Sequence, residues 1–322
     1  MISESLALGL LPLAFTGTGQ AEAEGKVREW WRLPDGRRFI ATTDRLSAFD
    51  VILGAVPFKG QVLNELSAFW FRNTLDIIPN HLVSLPDPNC AIVREASPIP
   101  VEVIVRGYIT GVTSTALWRR YELGERIIYG QRFPEGLRKN EKLPHPVITP
   151  TTKGGPTGHD ERLEPREVVE KGLLDADSWA RIQDAAIALF ERGSRIAGQA
   201  GLILVDTKYE FGFDPSGEIM LIDEIHTPDS SRFWLADTYM ERFEKGLEPE
   251  SRDKEFVRLA YAGLGYRGDG EPPALPPSVW AQTSLLYQNL YERLTGLDFV
   301  PASYPASPRV LEALARAKEG CL

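Results

Sequence analysis

Cysteine is nearly missing from this chain: only Cys90 and Cys321 occur, far apart in the sequence. Two thiols so placed build neither a disulfide framework nor a thiolate metal site, and a reducing cytoplasm is the expected home. Histidine is scarce as well. His81, His145 and His226 lack the spacing of a zinc site or a triad, so each is read as a structural or surface residue. Positive charge is in deficit, with 36 Lys and Arg against 45 Asp and Glu and a net charge of −9. Nucleic-acid surfaces need the reverse balance, which argues against one and leaves room only for local basic sites that take a small anionic ligand. Long apolar runs fail to appear. The stretch from Leu6 to Phe15 is short, follows Glu4 rather than a basic segment and leads to no small-residue cleavage site, so neither a secretory signal nor a membrane span is expected. Walker A, G-x-S-x-G and reactive-cysteine patterns are missing too. What survives these exclusions is chemistry on phosphates and carboxylates.

What is present is an ordinary globular mixture, 43% hydrophobic and 25% charged over 322 residues, enough for one large domain or two lobes sharing a cleft. Two lobes are expected, divided near residues 90–100 where Pro86, Pro88, Pro98 and Pro100 punctuate the chain. Short β-rich runs, Arg38 to Thr42 and Val51 to Val56, flank a polar loop with Asp44, Arg45, Ser47 and Asp50. Gln61 to Asn73 reads as a helix with Leu63, Leu66, Phe69 and Trp70 on one face, and Val101 to Tyr108 as a strand. Asp160 to Lys171 is charged and reads as helical. Asp177 to Ala200 is the clearest helix, closed by Gly201. Ser278 to Thr295 reads as a last helix, and the tail from Pro301 as peripheral.

The richest chemistry lies in a hairpin. Asp206, Lys208 and Glu210 alternate with Val205, Thr207, Tyr209 and Phe211, so the period of two puts the charges on one face. If the turn around Pro215-Ser216 has two or four residues, Lys208 stands opposite Asp223 and Glu210 opposite Leu221, which adds Asp223 to the ionic face. Glu210 and Asp223 are then candidates for Mg²⁺, which takes one or two carboxylates plus substrate phosphates. A solvated face of cross-strand ion pairs competes with this reading.

Four further segments carry anion-binding chemistry. Thr227 to Trp234 gathers hydroxyls, Asp229 and Arg232, a residue suited to bidentate binding of phosphate or carboxylate; the same stretch also reads as a helix start. Arg106-Gly107-Tyr108-Ile109-Thr110-Gly111 leads through Thr113, Ser114 and Thr115 into a helix with Trp118 and Tyr121, a setting where backbone N–H groups approach a phosphate. Gly25, Lys26 and Arg28 open a hairpin that can cover triphosphate oxygens. The glycine-rich loop from Thr149 to Glu161 offers Lys153 to a carboxylate or phosphate, and its His159, Asp160 and Glu161 read better as a capped helix start than as metal ligands.

In sum GKVREW, TTDRLSAFD, VEVIVRGYITGVTSTALW, the TPTTK…GHDE loop, LILVDTKYEFG and LIDEIHTPDSSRFW, in this order over residues 25–234, resemble the SAICAR synthase (phosphoribosylaminoimidazole-succinocarboxamide synthase) family. DKEFVR and the last helix resemble its longer form. The resemblance implies an α+β, two-lobed fold related to ATP-grasp enzymes and kinases. Residues 1–95 would form a small β-rich lobe covering ATP, and residues 96–322 a larger α+β lobe with an antiparallel sheet and a C-terminal helical extension. It implies a ligase in de novo purine biosynthesis: ATP phosphorylates the carboxylate of carboxyaminoimidazole ribonucleotide, and the amine of L-aspartate attacks the acyl phosphate. Gly25, Lys26 and Arg28 would meet ATP phosphates, Glu210 and Asp223 would hold Mg²⁺, and Lys208 would lie between ATP and the acceptor, with Asp206 and Arg232 completing the catalytic set. Arg106, Ser114 and Arg232 would grip the ribose 5′-phosphate, with Thr113 or Thr115 as alternatives to Ser114. Asp229, Lys153, Asp44 and Ser47 would complete the substrate side. Two alternatives share this site: a paralogue ligating an amino acid to a pyrazole nucleotide in C-nucleoside biosynthesis, and a small-molecule kinase. A homo-oligomer is compatible with the sequence, which marks no interface.

Overall fold

The computed structural model describes residues 2–112, 115–153 and 161–321. After α1 (Glu4–Leu10) and a 3₁₀ turn, the chain forms β1 (Ala23–Glu24), β2 (Arg28–Arg32) and β3 (Arg38–Thr42). Their alternation gives this sheet two faces of different use. Trp31, Phe39 and Ala41 point into a buried cluster, while Trp30 and Ile40 point into a cleft. A separate hairpin, β4 (Arg45–Ala48) and β5 (Val51–Ala55), replaces the loop expected before Val51, and α2 (Lys59–Arg72) follows. Strands β6 (Leu82–Asp87) and β7 (Cys90–Val93) complete a five-stranded sheet in the order β1-β2-β3-β7-β6.

The second sheet begins with the long β8 (Ser97–Ile109), which leads to α3 (Leu117–Glu122) and a small ribbon, β9 (Ile127–Ile128) and β10 (Gln131–Arg132). Then come β11 (Glu141–Ile148), β12 (Thr151–Thr152), α4 (Pro165–Glu170), shorter than expected, and α5 (Ala176–Gln199). Strands β13 (Leu202–Phe213), β14 (Ile219–Ile222) and β15 (Ser231–Leu235) finish the sheet, in the order β11-β8-β13-β14 with β12 on β8 and β15 on β13. All its pairings are antiparallel. Helix α5 carries apolar residues at helical spacing and packs Ile182, Ala186, Leu189 and Phe190 into the main core. Gly201, at φ 71°, ends it, a backbone angle that glycine adopts without strain. The opposite face of the sheet is left for the cleft.

The remaining helices are α6 (Ala236–Glu244), α7 (Glu255–Gly263), α8 (Pro277–Thr295) and α9 (Ala306–Lys318). The tail proves to be structural rather than peripheral. In α9, Ala306, Val310, Ala313, Leu314 and Ala317 recur at helical spacing and cover the Trp31 and Phe39 face of the first sheet. The physical reason is simple: without α9 that face would leave Trp31, Leu33, Phe39 and Ile92 to water, at about 1.5–3 kcal/mol for each large side chain. Short helical patterns at a chain end carry no sign of what they cover, so the sequence alone did not reveal this.

Candidate active site

A cleft of about 1030 Å³ lies between the Trp30 face of the first sheet and the open face of the second. Asp206, Lys208 and Glu210 of β13 line it, as the alternation requires, while Tyr209 and Phe211 turn into the main core. Strict alternation fails at one point. A bulge between Leu204 and Asp206 sends Val205 to a separate cluster with Tyr108, Trp234 and Tyr239. The hairpin register also differs by one residue from the expected one. Asp214 and Glu218 close a turn of odd length, so Glu210 pairs with Ile222 and Phe211 with Leu221. Asp223 therefore stands just beyond β14, at φ 68°, and reaches the cleft from that bend rather than from a paired strand position.

In the middle of the cleft, cations and carboxylates alternate. The Lys208 ammonium donates to Glu210 at 2.5 Å and to Glu102 at 2.7 Å, and Lys153 donates to the other Glu210 oxygen. Burial alone would weaken the Lys208 charge, but Glu210 and Glu102 outweigh it and hold its pKa above the ordinary lysine value. The reverse holds for Glu210: burial opposes its charge, and Lys208 and Lys153 override it, so its pKa falls to about 2. Glu102 had escaped the sequence reading. It faces Glu210 across β8 and β13, and the signal was there in Val101-Glu102-Val103-Ile104-Val105-Arg106, where three valines enter the core and Glu102, Ile104 and Arg106 meet the cleft.

One end of the cleft is a double-arginine site. Arg106 donates to Asp206 at 3.0 Å and to Thr149 at 2.9 Å, and Arg232, brought alongside because β15 pairs with β13, donates to the same Asp206 oxygen. The expected helix start at Asp229 or Ser230 is instead a turn, closed by Ser231 N–H on the Thr227 carbonyl, leading into β15. Strand pairing satisfies more backbone groups there than a cap would, and it is what carries Arg232 to Asp206. Gly111, at φ 91°, passes so close that a Cβ would stand 2.7 Å from that of Ala116 and 3.4 Å from an Arg232 nitrogen. Only glycine fits here. Thr115 lines the cleft, while Thr113 and Ser114, and residues 154–160 of the glycine-rich loop with His159 and Asp160, lie outside the described residues.

At the other end stand Gly25, Lys26 and Arg28 with the apolar wall of Trp30, Ile40 and Val93. Lys26 pairs with Asp50 at 2.5 Å in an exposed bridge, and Arg28 meets Asp223 and, at 3.4 Å, Glu224. Ser47 lines the cleft. Asp229 does too, held at 2.8 Å from the fully buried Lys59 and accepting from the Tyr287 hydroxyl at 3.1 Å. Burial would raise the Asp229 pKa, yet Lys59 and Lys254 pull it below the ordinary aspartate value. Lys254 and Arg258 of the α7 region line the cleft on the side of the double-arginine site, since Glu255 lies 3.0 Å from Arg258 and 3.7 Å from Arg232, and both were missed as individual residues. His226 is structural: it shares a 2.6 Å hydrogen bond with Tyr209, and burial lowers its pKa to about 3.

Asp44 does not belong to the site. It is wholly buried, accepting from Phe15 N at 2.7 Å, Gly60 N at 2.9 Å and the Tyr304 hydroxyl at 2.5 Å. It ties the N-terminal segment, the start of α2 and the C-terminal tail together, a role visible only once residues 260 apart in sequence meet. Burial lifts its pKa from 3.8 to about 6 against the pull of these hydrogen bonds. The folded state therefore holds this proton more tightly than the unfolded chain. Its contribution to stability is full below pH 3.8 and is lost as pH rises through 6. The stability of the wild type relative to Asp44→Asn is expected to fall between these limits, and thermal melts across pH 4 to 7 check it; a difference independent of pH speaks against the assignment.

Fold and cleft together define an enzyme for small molecules, whose cleft of alternating cations and carboxylates lies between two sheets. The profile of the SAICAR synthetase family matches residues 21–273. The chain belongs to the SAICAR synthetase family, and it is an ATP-dependent carboxylate–amine ligase. It is 50% identical over 297 residues to phosphoribosylaminoimidazole-succinocarboxamide synthase of Legionella pneumophila (strain Paris), covering 91% of this chain and 94% of that one. It resembles the structure of SAICAR-synthase from Saccharomyces cerevisiae complexed with SAICAR, with TM-score 0.75, 33% identity, and 88% and 97% of the two chains covered. It also resembles a SAICAR synthetase structure in complex with ADP, with TM-score 0.67, 25% identity, and 86% and 99% covered.

Proposed function

We propose that this ligase joins the amine of L-aspartate to the carboxylate of carboxyaminoimidazole ribonucleotide, giving SAICAR, ADP and phosphate, and that the cleft residues divide the work by position. The observation that carries the reading is the row Lys153, Glu210, Lys208 and Glu102 set beside two arginines that share Asp206. Arg106 and Arg232 hold the ribose 5′-phosphate beside Gly111, whose missing side chain keeps the Arg232 guanidinium uncrowded. Gly25, Lys26 and Arg28 meet the ATP phosphates, and Trp30, Ile40 and Val93 offer an apolar wall to the base. Ser47 and Asp229 line the substrate side.

Among the described residues no three His, Cys, Asp or Glu side chains group as a metal cage. The cleft does supply two carboxylates, Glu210 and Asp223, which suits Mg²⁺ because that ion is commonly held by one or two carboxylates with phosphates completing its shell. The ion would neutralise charge on the transferring phosphoryl group. Lys208 stands between Glu102 and Glu210, where an acceptor carboxylate and a phosphate meet, and keeps its proton. It assists by charge: the carboxylate takes the phosphoryl group, the amine then attacks the acyl carbon, phosphate leaves and the amine nitrogen gives up a proton. Such chemistry needs positioning and charge neutralisation more than a covalent protein group.

The division into an ATP-covering lobe, residues 1–95, and a larger lobe, residues 96–322, belongs to the same proposal, supported by the two sheets that flank the cleft. So does a cytoplasmic location, which two free cysteines favour. Among the described residues no helix is long and apolar enough to cross a membrane. The test is mass spectrometry of products from ATP, L-aspartate and carboxyaminoimidazole ribonucleotide. A succinocarboxamide product is expected; rapid ADP release that does not need aspartate would favour a kinase instead.

A further inference from the structure

The small ribbon of β9 and β10 takes no part in the chemistry above, yet its tip reaches the double-arginine site. Ile128 pairs with Gln131, so Tyr129 and Gly130 form a two-residue turn, and both have positive φ, 53° and 72°. A turn of this kind takes Asn, Asp or Gly at its first position, and a bulky side chain there is strained. Such strain persists only where the surroundings hold the residue in place. Here they do. The Tyr129 ring is buried with Ile109, Leu117 and Phe133, and the Arg162 guanidinium lies over it at 5.3 Å. Its hydroxyl donates to the Thr115 carbonyl at 2.8 Å, and Thr115 lines the cleft. Burial raises the Tyr129 pKa, against the pull of Arg106, which neighbours the same oxygen, and of Arg162 and Arg120. The hydroxyl therefore keeps its proton for Thr115 and offers its lone pairs to Arg106.

We propose that Tyr129 is a positioning residue of the phosphate site: its single hydroxyl ties the Thr115 backbone to the Arg106 guanidinium, and so holds both where the 5′-phosphate of the azole nucleotide meets them. This rests on the ligase reading given above. Asp206 and Thr149 each engage one nitrogen of Arg106, and Tyr129 adds a third point of support. A guanidinium is planar, and its fork fits a phosphate only while that plane is fixed. The ribbon reaches this point because its strained turn aims a long side chain where Asn or Gly would leave a gap.

Calorimetric titration with ribose 5-phosphate, which carries the phosphate without the azole, and with ADP tests it, beside steady-state kinetics. In Tyr129→Phe the Kd of ribose 5-phosphate and the KM of carboxyaminoimidazole ribonucleotide are expected to rise together about 5- to 10-fold, the scale of one hydrogen bond, with the Kd of ADP and kcat changed less than about twofold. Tyr129→Asn, which accepts the positive φ but is too short to reach Thr115, is expected to weaken ribose 5-phosphate at least as much. A tyrosine that served only the fold would lower the melting temperature and leave the ribose 5-phosphate affinity where it was. Unchanged ribose 5-phosphate binding in Tyr129→Phe, or an equal loss of ADP affinity, overturns the proposal. A wild-type enzyme that binds ribose 5-phosphate but forms no succinocarboxamide would instead overturn the ligase reading, so the two failures are distinguishable.

Discussion

Glu210→Gln is expected to lower ligation by about 10²- to 10³-fold, the scale seen when one preorganised electrostatic contact to a transition state is removed. The substitution keeps the shape of the side chain and removes only its charge. Glu210 sits between Lys208 at 2.5 Å and Lys153, and it is the carboxylate of β13 proposed to hold Mg²⁺. Its loss would leave Glu102 as the partner of Lys208, at 2.7 Å, so the ammonium remains compensated and the fold is expected to persist. Single-turnover product formation, paired with a thermal melt and a Mg²⁺ titration, reads the three effects separately. Asp223→Asn should act in the same direction. Wild-type turnover in either variant would sink the metal assignment, whereas loss of the cooperative melt would mean that Glu210 is needed for folding.

Asp206→Ala is expected to cost about 3–5 kcal/mol of stability, because it removes one partner from a buried charge group and leaves cations uncompensated. Asp206 is 5% exposed and is shared by Arg106 and Arg232 across three neighbouring strands. Burial opposes the Arg232 charge, but Asp206, Glu255 and Asp253 outweigh it and hold its pKa above the ordinary arginine value. Without Asp206, the two guanidiniums repel each other in a site poor in water. Urea unfolding gives the loss directly. Inorganic phosphate should then restore more stability to the variant than to the wild type, since an anion bound only by the folded state raises stability by mass action. A loss below about 1 kcal/mol would mark the group as behaving like an exposed pair and count against its role as an anion site.

Much of the candidate site is legible in the sequence. The charges of Asp206, Lys208 and Glu210 share a face because strand geometry repeats every two residues, a local rule independent of the rest of the chain. Arg232 and Arg106 were visible as anion binders from their side-chain chemistry, and the structure brings them to one carboxylate. Asp44 was misplaced for the opposite reason: its neighbours in sequence make a charged loop, while its partners Phe15, Gly60 and Tyr304 come from three distant segments. Asp223 lay in between. Its presence in the cleft was foreseen, but the odd turn at Asp214 to Glu218 shifted the register by one residue, and a shift of one changes which residues face each other across the hairpin.

The sequence by itself determined the chemistry on offer: scarce thiols and histidines, a carboxylate-and-lysine strand, arginines beside glycine-rich turns, and the family to which these belong. Periodicity and turn residues are local, so they survive in one dimension. Only the tertiary structure decided that Glu102 closes the ionic row, that α9 covers the first sheet, that Asp44 is a buried tie and that Lys254 and Arg258 face the same cleft as Arg232. Each of these depends on residues far apart in sequence meeting at a few ångströms, where burial and charge set what a side chain can do.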